Sequence, residues 1–153
     1  MAINVLNLYQ RISGFPGGRW LFTRIVCFRA PYFGSIRPQF VELRPGIARV
    51  SMKKRRSVQN HIGGVHALAM GNLCELAAGM MTEVTMPRNM RWIPRGMTIQ
   101  YLRQARSDVS AEARLELREY NQKEDVVVDV EVMDREGTRV VRAEITMYIS
   151  PRD

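Results

Sequence analysis

The chain has 153 residues, of which 46% are apolar and 25% are charged, and its formal net charge is +8. This length and the dispersed charges of both signs indicate one folded domain and exclude an intrinsically disordered chain. The positive charge predicts attraction to a polyanion, but it does not choose between nucleic acid, anionic lipid, an acidic carrier protein and a phosphorylated cofactor.

The two cysteines indicate a reducing compartment. Cys27 and Cys74 each lie within an apolar segment and have no metal-ligand spacing around them, so we predict neither a disulfide framework nor a zinc site. The apolar run 20–28 is interrupted by Arg24 and is shorter than the roughly 20 residues that cross a bilayer. The first residues also lack the pattern of a signal peptide. We therefore expect a soluble, cytoplasmic protein whose contact with membranes is at most peripheral.

Two helices are predicted at the start of the chain. The first, over residues 3–13, has apolar residues at helical spacing: Val5, Leu8, Tyr9 and Ile12. The second, over residues 19–29, places one apolar set on a single side: Trp20, Leu21, Ile25 and Phe28. Such a side packs on the core of a domain or lies on a membrane surface, and we expect it to pack on the core.

The apolar residues alternate after residue 36, which predicts strands. Residues 36–43 and 47–53, separated by Arg-Pro-Gly, read as a hairpin. Further strands are predicted at 96–105, 110–119, 126–134 and 139–150. With a long helix before them, this order predicts an α+β fold in which one helix packs on a mostly antiparallel sheet. We expect a single domain overall, with a helical extension at 1–34 and the main body at 35–153.

The long predicted helix begins near residues 65–67 and continues to about residue 81. It carries one acid in an otherwise apolar segment. At 100° per residue, one narrow stripe contains Leu68, Asn72, Glu75 and Gly79, and the remaining circumference is apolar. The helix is therefore predicted to be buried. Its acid must then face a cleft, pair with a charge from elsewhere, or lie on a thin edge that faces solvent. Partial burial would make the carboxylate of Glu75 a stronger base.

A glycine-rich turn precedes this helix. Gly63 and Gly64 allow another group to approach the backbone closely, and the unpaired N–H groups at 65–67 favour a negatively charged oxygen. Oxyanion donors followed by one acid on the same helix are the groups that acyl transfer requires. These groups are best suited to the hydrolysis of a thioester, because a thiol with a pKa of roughly 8.5 needs no strong general acid in order to leave.

These residues carry a resemblance to a known family. The pattern resembles the Asn…Gly…His-Gly-Gly…Asp/Glu…Ala signature of hotdog-fold acyl-CoA thioesterases, and it consists here of Asn60, Gly63, His66-Ala67, Glu75 and Ala77-Ala78-Gly79. The phenylacetyl-CoA and 4-hydroxybenzoyl-CoA type is similar in spacing, as is a branch known only as a domain of unknown function. The resemblance covers residues 36–150. It implies a hotdog fold, in which the sheet wraps a long central helix, with extra N-terminal helices in this chain.

The resemblance also implies roles for single residues. Glu75 would be the nucleophile or general base, the backbone N–H of Ala67 the oxyanion donor, Asn60 the group that positions water or the thioester, and His66 a residue that shapes the turn. Ala67 stands where the family usually has glycine, but the backbone N–H is retained. Because the family's site lies between subunits, a homodimer or homotetramer is expected.

No metal and no separate cofactor are predicted, and coenzyme A would enter as part of the substrate. His61 and His66 are five residues apart, which does not match the four-residue spacing of the HExxH zinc motif. Guanidinium groups pair well with phosphate, so the candidates for the coenzyme A phosphates are Arg103, Arg106, Arg55 and Arg56.

Three hypotheses follow. The first is hydrolysis of an acyl thioester of coenzyme A or of an acyl carrier protein by Glu75, with no nucleic-acid partner. The second is a non-catalytic hotdog module that binds acyl-CoA or another polyanion. The third is a peripheral membrane or nucleic-acid binder that uses the N-terminal helices and the basic run 53–56.

Overall fold

A computed structural model describes residues 4–152 and contains every helix and strand that the sequence predicts. The helices are α1 (Val5–Ser13), α2 (Gly18–Arg29) and α3 (Ala67–Thr85). The strands are β1 (Gln39–Arg44), β2 (Ile47–Met52), β3 (Met90–Tyr101), β4 (Val109–Arg114), β5 (Glu124–Asp134) and β6 (Arg139–Pro151). There are also two short 3₁₀ turns: Pro31–Ile36 lies between α2 and β1, and Arg56–Val58 lies between β2 and α3. β3 begins six residues before the predicted start, and β4 ends five residues before the predicted end.

The strands form one antiparallel sheet in the order β1-β2-β4-β5-β6-β3, so that β1 and β3 are its edges. Alternate residues of the central strands face α3 and are buried, as Ala111, Val130 and Ile145 illustrate. The opposite face carries ion pairs such as those of Glu112 with Arg49 and Arg114. The alternation read from the sequence therefore separates an apolar inner face from a wet outer face.

The core of the fold surrounds α3. Leu73, Cys74, Leu76 and Ala77 are fully buried, and strands β2, β4 and β5 pack against this helix. Small residues on much of its circumference allow the sheet to approach closely. The prediction of a buried helix is thus confirmed. Among residues 4–152, no helix has the length and apolar character needed to cross a membrane.

Helix α2 covers the β1 edge of the sheet. The hydroxyl of Thr23 accepts a hydrogen bond of 3.1 Å from the backbone N–H of Phe40. The ring of Phe22 packs edge-to-face between Tyr9 of α1 and Phe40 of β1, with ring centroids 5.0 Å and 5.2 Å apart. These contacts join both N-terminal helices to the main hydrophobic core.

The face of α2 that meets the core is the opposite of the one expected. Trp20, Leu21 and Phe28 are 60%, 47% and 86% exposed, whereas Phe22, Thr23 and Cys27 are buried. The expectation that the Trp20 side packs on the core is therefore wrong. Apolar residues occur on both sides of this helix, and the aromatic stack and the hydrogen bond to β1 select the Phe22 side.

Candidate functional site

The turn before α3 is held together by Asn60. The Oδ1 atom of Asn60 accepts hydrogen bonds from the backbone N–H groups of Ile62 (3.1 Å) and Gly64 (2.9 Å). The backbone N–H of Asn60 donates to the carbonyl of Gly64 (2.9 Å). Gly63 has φ = +78°, a conformation that favours glycine. The side-chain oxygen of Asn60 is thus committed to the turn. Within the described residues, only its amide nitrogen is left to contact a ligand or water.

The turn is anchored to the segment that follows β3. A Cβ atom on Gly64 would lie 2.9 Å from Nε2 of Gln104 and 3.2 Å from the carbonyl oxygen of Ala105, so the backbone of Gly64 packs closely against this segment. Val65 donates to the carbonyl of Ala105 at 2.8 Å. Gln104 is therefore a structural residue of the site. No local pattern predicts this contact, because it joins segments 40 residues apart.

The first turn of α3 leaves one backbone donor unused. The N–H of Leu68 donates to Nδ1 of His66 (3.1 Å), and the N–H groups of Ala69 and Met70 donate to the carbonyl of His66 (3.0 and 3.2 Å). No acceptor for the N–H of Ala67 exists in the part of the chain that the structure describes. His66 is the N-cap of the helix, and the free donor at Ala67 lies at the positive end of the helix dipole.

Tyr101 contacts the same helix start, which the sequence did not predict. Its hydroxyl donates to the carbonyl oxygen of Ala67 at 3.3 Å, and burial raises the pKa of this phenol. The neighbouring Cys74 is fully buried, and burial raises the pKa of its thiol to about 12. A thiol that remains protonated at neutral pH is a poor nucleophile, so Cys74 is a poor candidate for that role.

Glu75 lies two helical turns after Ala67, at an axial distance of about 12 Å. Gly71 and Gly79 flank it one turn away on either side. A Cβ atom on Gly71 would lie 3.8 Å from Ile99, and one on Gly79 would lie 3.1 Å from Trp92, both of β3. Glu75 therefore faces the middle of β3, where the register with β6 shifts between Pro94 and Gly96.

The carboxylate of Glu75 is half-buried and makes no hydrogen bond or ion pair with any residue between 4 and 152. The second acid of α3, Glu83, differs because its Oε2 accepts a hydrogen bond of 2.7 Å from Nε1 of Trp92. Of the three environments considered for Glu75, an ion pair is therefore absent among the described residues, and the glycines on either side place Glu75 beside the edge strand β3.

The idea of a continuous solvent-facing edge on α3 is wrong at Asn72. This side chain is only 7% exposed because the 3₁₀ turn Pro31–Ile36 covers it. Its Nδ2 donates to the hydroxyl of Ser35 at 3.4 Å, while its Oδ1 is buried without a partner among the described residues. The stripe is therefore not uniform, because the 3₁₀ turn covers Asn72 whereas Leu68 is exposed and Glu75 is half-buried.

The four candidate arginines fall into two groups. Arg103 and Arg106 are exposed and flank Gln104, next to the Asn60 turn, and Arg106 donates to the side-chain oxygen of Gln104 at 2.8 and 3.1 Å. Arg55 instead donates to the carbonyls of Ser35 and Ile36, at 2.9 and 3.1 Å. Burial, together with the nearby charge of Arg37, lowers the pKa of Arg55. Arg56 is exposed in the second 3₁₀ turn.

Exposed apolar side chains occur along β3, at the start of α3 and in the Asn60 turn. They are between 42% and 71% exposed and comprise Ile62, Leu68, Ile93, Met97, Tyr101 and Leu102. A soluble protein rarely leaves such a group uncovered without a ligand or a partner for it.

A central helix wrapped by an antiparallel sheet, with a glycine turn at the helix start, defines a hotdog fold. Residues 18–149 match the family described as Domain of unknown function (DUF4442), and the chain belongs to this family. No curated protein matches the sequence.

Solved structures agree with this assignment. The chain is similar to genomics APC5556, with 44% identity, coverage of 99% of this chain and 100% of that one, and a TM-score of 0.84. It is also similar to PA5026 from Pseudomonas aeruginosa, described as a probable thioesterase (23% identity, 80% and 88% coverage, TM-score 0.74). Thioesterase HI1161 from Haemophilus influenzae has 13% identity, 78% and 82% coverage, and a TM-score of 0.70. At these lower identities the likeness establishes the fold.

Proposed function

We propose that the protein hydrolyses an acyl thioester, either of coenzyme A or of an acyl carrier protein. The observation that carries this proposal is that one buried helix presents both an unused N–H at Ala67 and an unpaired carboxylate at Glu75. Because they are about 12 Å apart along the helix axis, the thioester would meet the N–H of one copy of the chain and the carboxylate of another. Both groups are costly to leave unpaired near a protein interior, so a site that uses them explains their presence. The names of the similar thioesterase structures support the same reaction class.

The chemistry needs few groups. The N–H of Ala67 donates to the thioester carbonyl oxygen and stabilises the negative charge that develops there. Glu75 attacks the carbonyl carbon directly or removes a proton from the attacking water. The C–S bond then breaks, the thiolate leaves and takes up a proton, and the acyl group departs as a carboxylic acid. In the route through an acyl-enzyme anhydride, water cleaves the anhydride in a second step.

We infer that a second copy of the chain completes the site across β3. This strand has 12 residues, and β6 is its one strand neighbour within residues 4–152. An edge of this length presents unpaired backbone groups that readily accept another strand. Pairing of two copies there would bury Met97 and its apolar neighbours and would cover Glu75.

Arg103 and Arg106 are the arginines best placed to bind the phosphates of coenzyme A, because they adjoin the Asn60 turn and lie near the start of α3. Arg55 is less suitable, since its terminal nitrogens already bind two carbonyl oxygens.

The test is thiol release from a panel of short, aromatic and long-chain acyl-CoAs. Glu75→Gln should lower kcat by about 10²–10⁴-fold, while the matched variant Glu83→Gln, which alters the other acid of the same helix, should retain most activity. A folded Glu75→Gln protein that hydrolyses every substrate at the parental rate would overturn the mechanism.

The oxyanion donor has its own test. Ala67 is the first residue of α3, where proline is well tolerated, and His66 already has the extended conformation that precedes proline (ψ = 137°). Ala67→Pro therefore removes the N–H alone and should lower kcat by about 10²–10³-fold, while Ala67→Gly should remain active. A parent protein that binds acyl-CoA without releasing thiol would instead favour the non-catalytic hotdog module, which the Ala67 methyl group beside the donor could explain.

A further inference from the structure

The net positive charge of the protein comes from the first half of its sequence. Residues 1–74 contain eleven basic residues and one acid, Glu42, whereas residues 75–153 contain twelve basic and fourteen acidic residues. The net charge of +8 is therefore the sum of a first half at +10 and a second half at −2. The first half includes α2, β1 and β2, which lie at the sheet edge remote from β3.

The outward face of α2 combines large apolar side chains with arginine. Trp20, Arg24 and Phe28 are four residues apart and form one exposed row, and Leu21 lies beside them. At 86% exposed, Phe28 is the most exposed of the large apolar residues that the structure describes. An aromatic row with an arginine between its members suits a lipid interface, where the rings insert and the guanidinium group remains at the headgroup level.

A cationic depression adjoins this row. It lies between α2 and the ends of β1 and β2, and its walls include Trp20, Arg24, Arg37, Lys53 and Arg55. None of the residues that line it is acidic. Lys53 interacts electrostatically with Asp108, whose carboxylate is already bound by the backbone N–H of Lys54 and by Arg135. The depression therefore presents uncompensated positive charge directly beside exposed aromatic rings.

We propose that the outer face of α2 and the adjoining cationic depression dock the protein on the surface of an anionic lipid bilayer. Trp20 and Phe28 enter the headgroup region, and Arg24, Arg37 and Lys53 contact lipid phosphates. The charge complementarity decides between occupants, because a second copy of the chain would bring the same positive surface against itself. This docking is independent of thioester hydrolysis and would persist in the Glu75→Gln protein.

Binding is measured by co-sedimentation with vesicles of phosphatidylcholine alone and with about 30% phosphatidylserine. The parent should bind the anionic vesicles, release them at high salt, and show a blue shift of Trp20 fluorescence that is missing in Trp20→Phe. Trp20→Ser/Phe28→Ser should weaken binding by about tenfold or more, whereas Val127→Ser, which alters an exposed apolar residue on β5, should not.

The charge requirement has a matched control. Arg24→Gln/Arg37→Gln should weaken binding by about tenfold, while Arg88→Gln/Arg142→Gln, with the same net charge on the other half of the sequence, should bind like the parent. Four outcomes would overturn the proposal: no binding to anionic vesicles at low salt, equal binding to phosphatidylcholine, equal loss in both arginine pairs, or a change of oligomeric state in Trp20→Ser/Phe28→Ser. Binding of RNA that is sensitive to Arg24→Gln/Arg37→Gln but not to Trp20→Ser/Phe28→Ser, without vesicle binding, would assign the surface to nucleic acid instead.

Discussion

The two edges of the sheet differ in how they are covered. At β1, the side chains of the N-terminal helices satisfy the strand: Thr23 accepts from the N–H of Phe40, and the hydroxyl of Tyr9 donates to the carbonyl of Val41 at 3.4 Å. At β3, twice as long, no helix crosses the outer side within the described residues, and Met97 and Tyr101 remain 42% and 45% exposed.

The chain thus covers one edge of the sheet by itself, and the other edge is the one at which we propose that a second copy pairs. An exposed edge strand can pair with other chains and promote aggregation, so proteins usually protect it or use it to bind a partner. The candidate catalytic groups lie on the side of the open edge, since Glu75 faces β3 and the helix start contacts Tyr101. A partner that covers β3 would therefore stabilise the assembly and enclose the reaction.

The largest expected effect comes from mixing two inactive chains. If the Ala67 N–H of one protomer serves the Glu75 of its partner, co-expressed Glu75→Gln and Ala67→Pro chains should form heterodimers with one intact site. The heterodimer should then have about half of the parental activity, because one of its two sites is intact and the other lacks both groups. Thiol release by the tagged and purified heterodimer measures this. Activity that stays at the level of the two single variants would show that each site draws both groups from one chain.

The second prediction concerns a substitution that disrupts pairing at the open edge strand, β3. Met97→Asp places a charge on β3 at the expected pairing surface and should raise the dimer dissociation constant by about 100-fold or more, because both copies must then bury a carboxylate. Val41→Asp makes the same change on the covered edge and should leave the dimer intact. Analytical ultracentrifugation compares the two. Dissociation of both variants, or of neither, would contradict the assignment of β3 as the interface.

The third prediction weakens the covered edge. Thr23→Val removes the acceptor of the buried Phe40 N–H and should lower the free energy of unfolding by about 1–3 kcal/mol. Thr82→Val is the matched control, since both hydroxyls donate to the carbonyl four residues earlier but that of Thr82 accepts no backbone N–H. The control should cost less than about 1 kcal/mol. Urea denaturation of a monomeric background measures both, and equal losses would refute a special role for the contact to β1.

The smallest effects come from the glycines that lie under β3. Gly71→Ala has room beside Ile99 and should raise the free energy of unfolding by about 0.5–1 kcal/mol, because alanine is the better helix former. Gly79→Ala should give no gain, since its Cβ would lie 3.1 Å from the ring of Trp92. Thermal unfolding distinguishes the two, and Trp92 fluorescence in a Trp20→Phe background should shift in Gly79→Ala alone.

Local patterns predicted the elements well and their contacts less well. Periodicity located α1, α2, α3 and all six strands, because helices and strands repeat their apolar faces over short distances. It failed for the exposed side of α2, where apolar residues occur all round and Phe22, not Trp20, meets the core. It also failed for Asn72, which is covered by a 3₁₀ turn that lies 37 residues earlier in the chain.

The candidate site shows the same division. The motif from Asn60 to Glu75 named the turn, the helix start and the acid, since these are local in sequence. Gln104 and Tyr101 were missed, because they reach the site only after β3 folds back along α3.

The sequence by itself determined the order of helices and strands, the burial of α3 and the family, because each depends on residues close together along the chain. Only the tertiary structure decided which side of α2 faces outward, that the N–H of Ala67 is unused, and that β1 is covered while β3 is open. Those properties arise from contacts between distant segments, whose packing and hydrogen bonds select one arrangement among several that the local pattern allows.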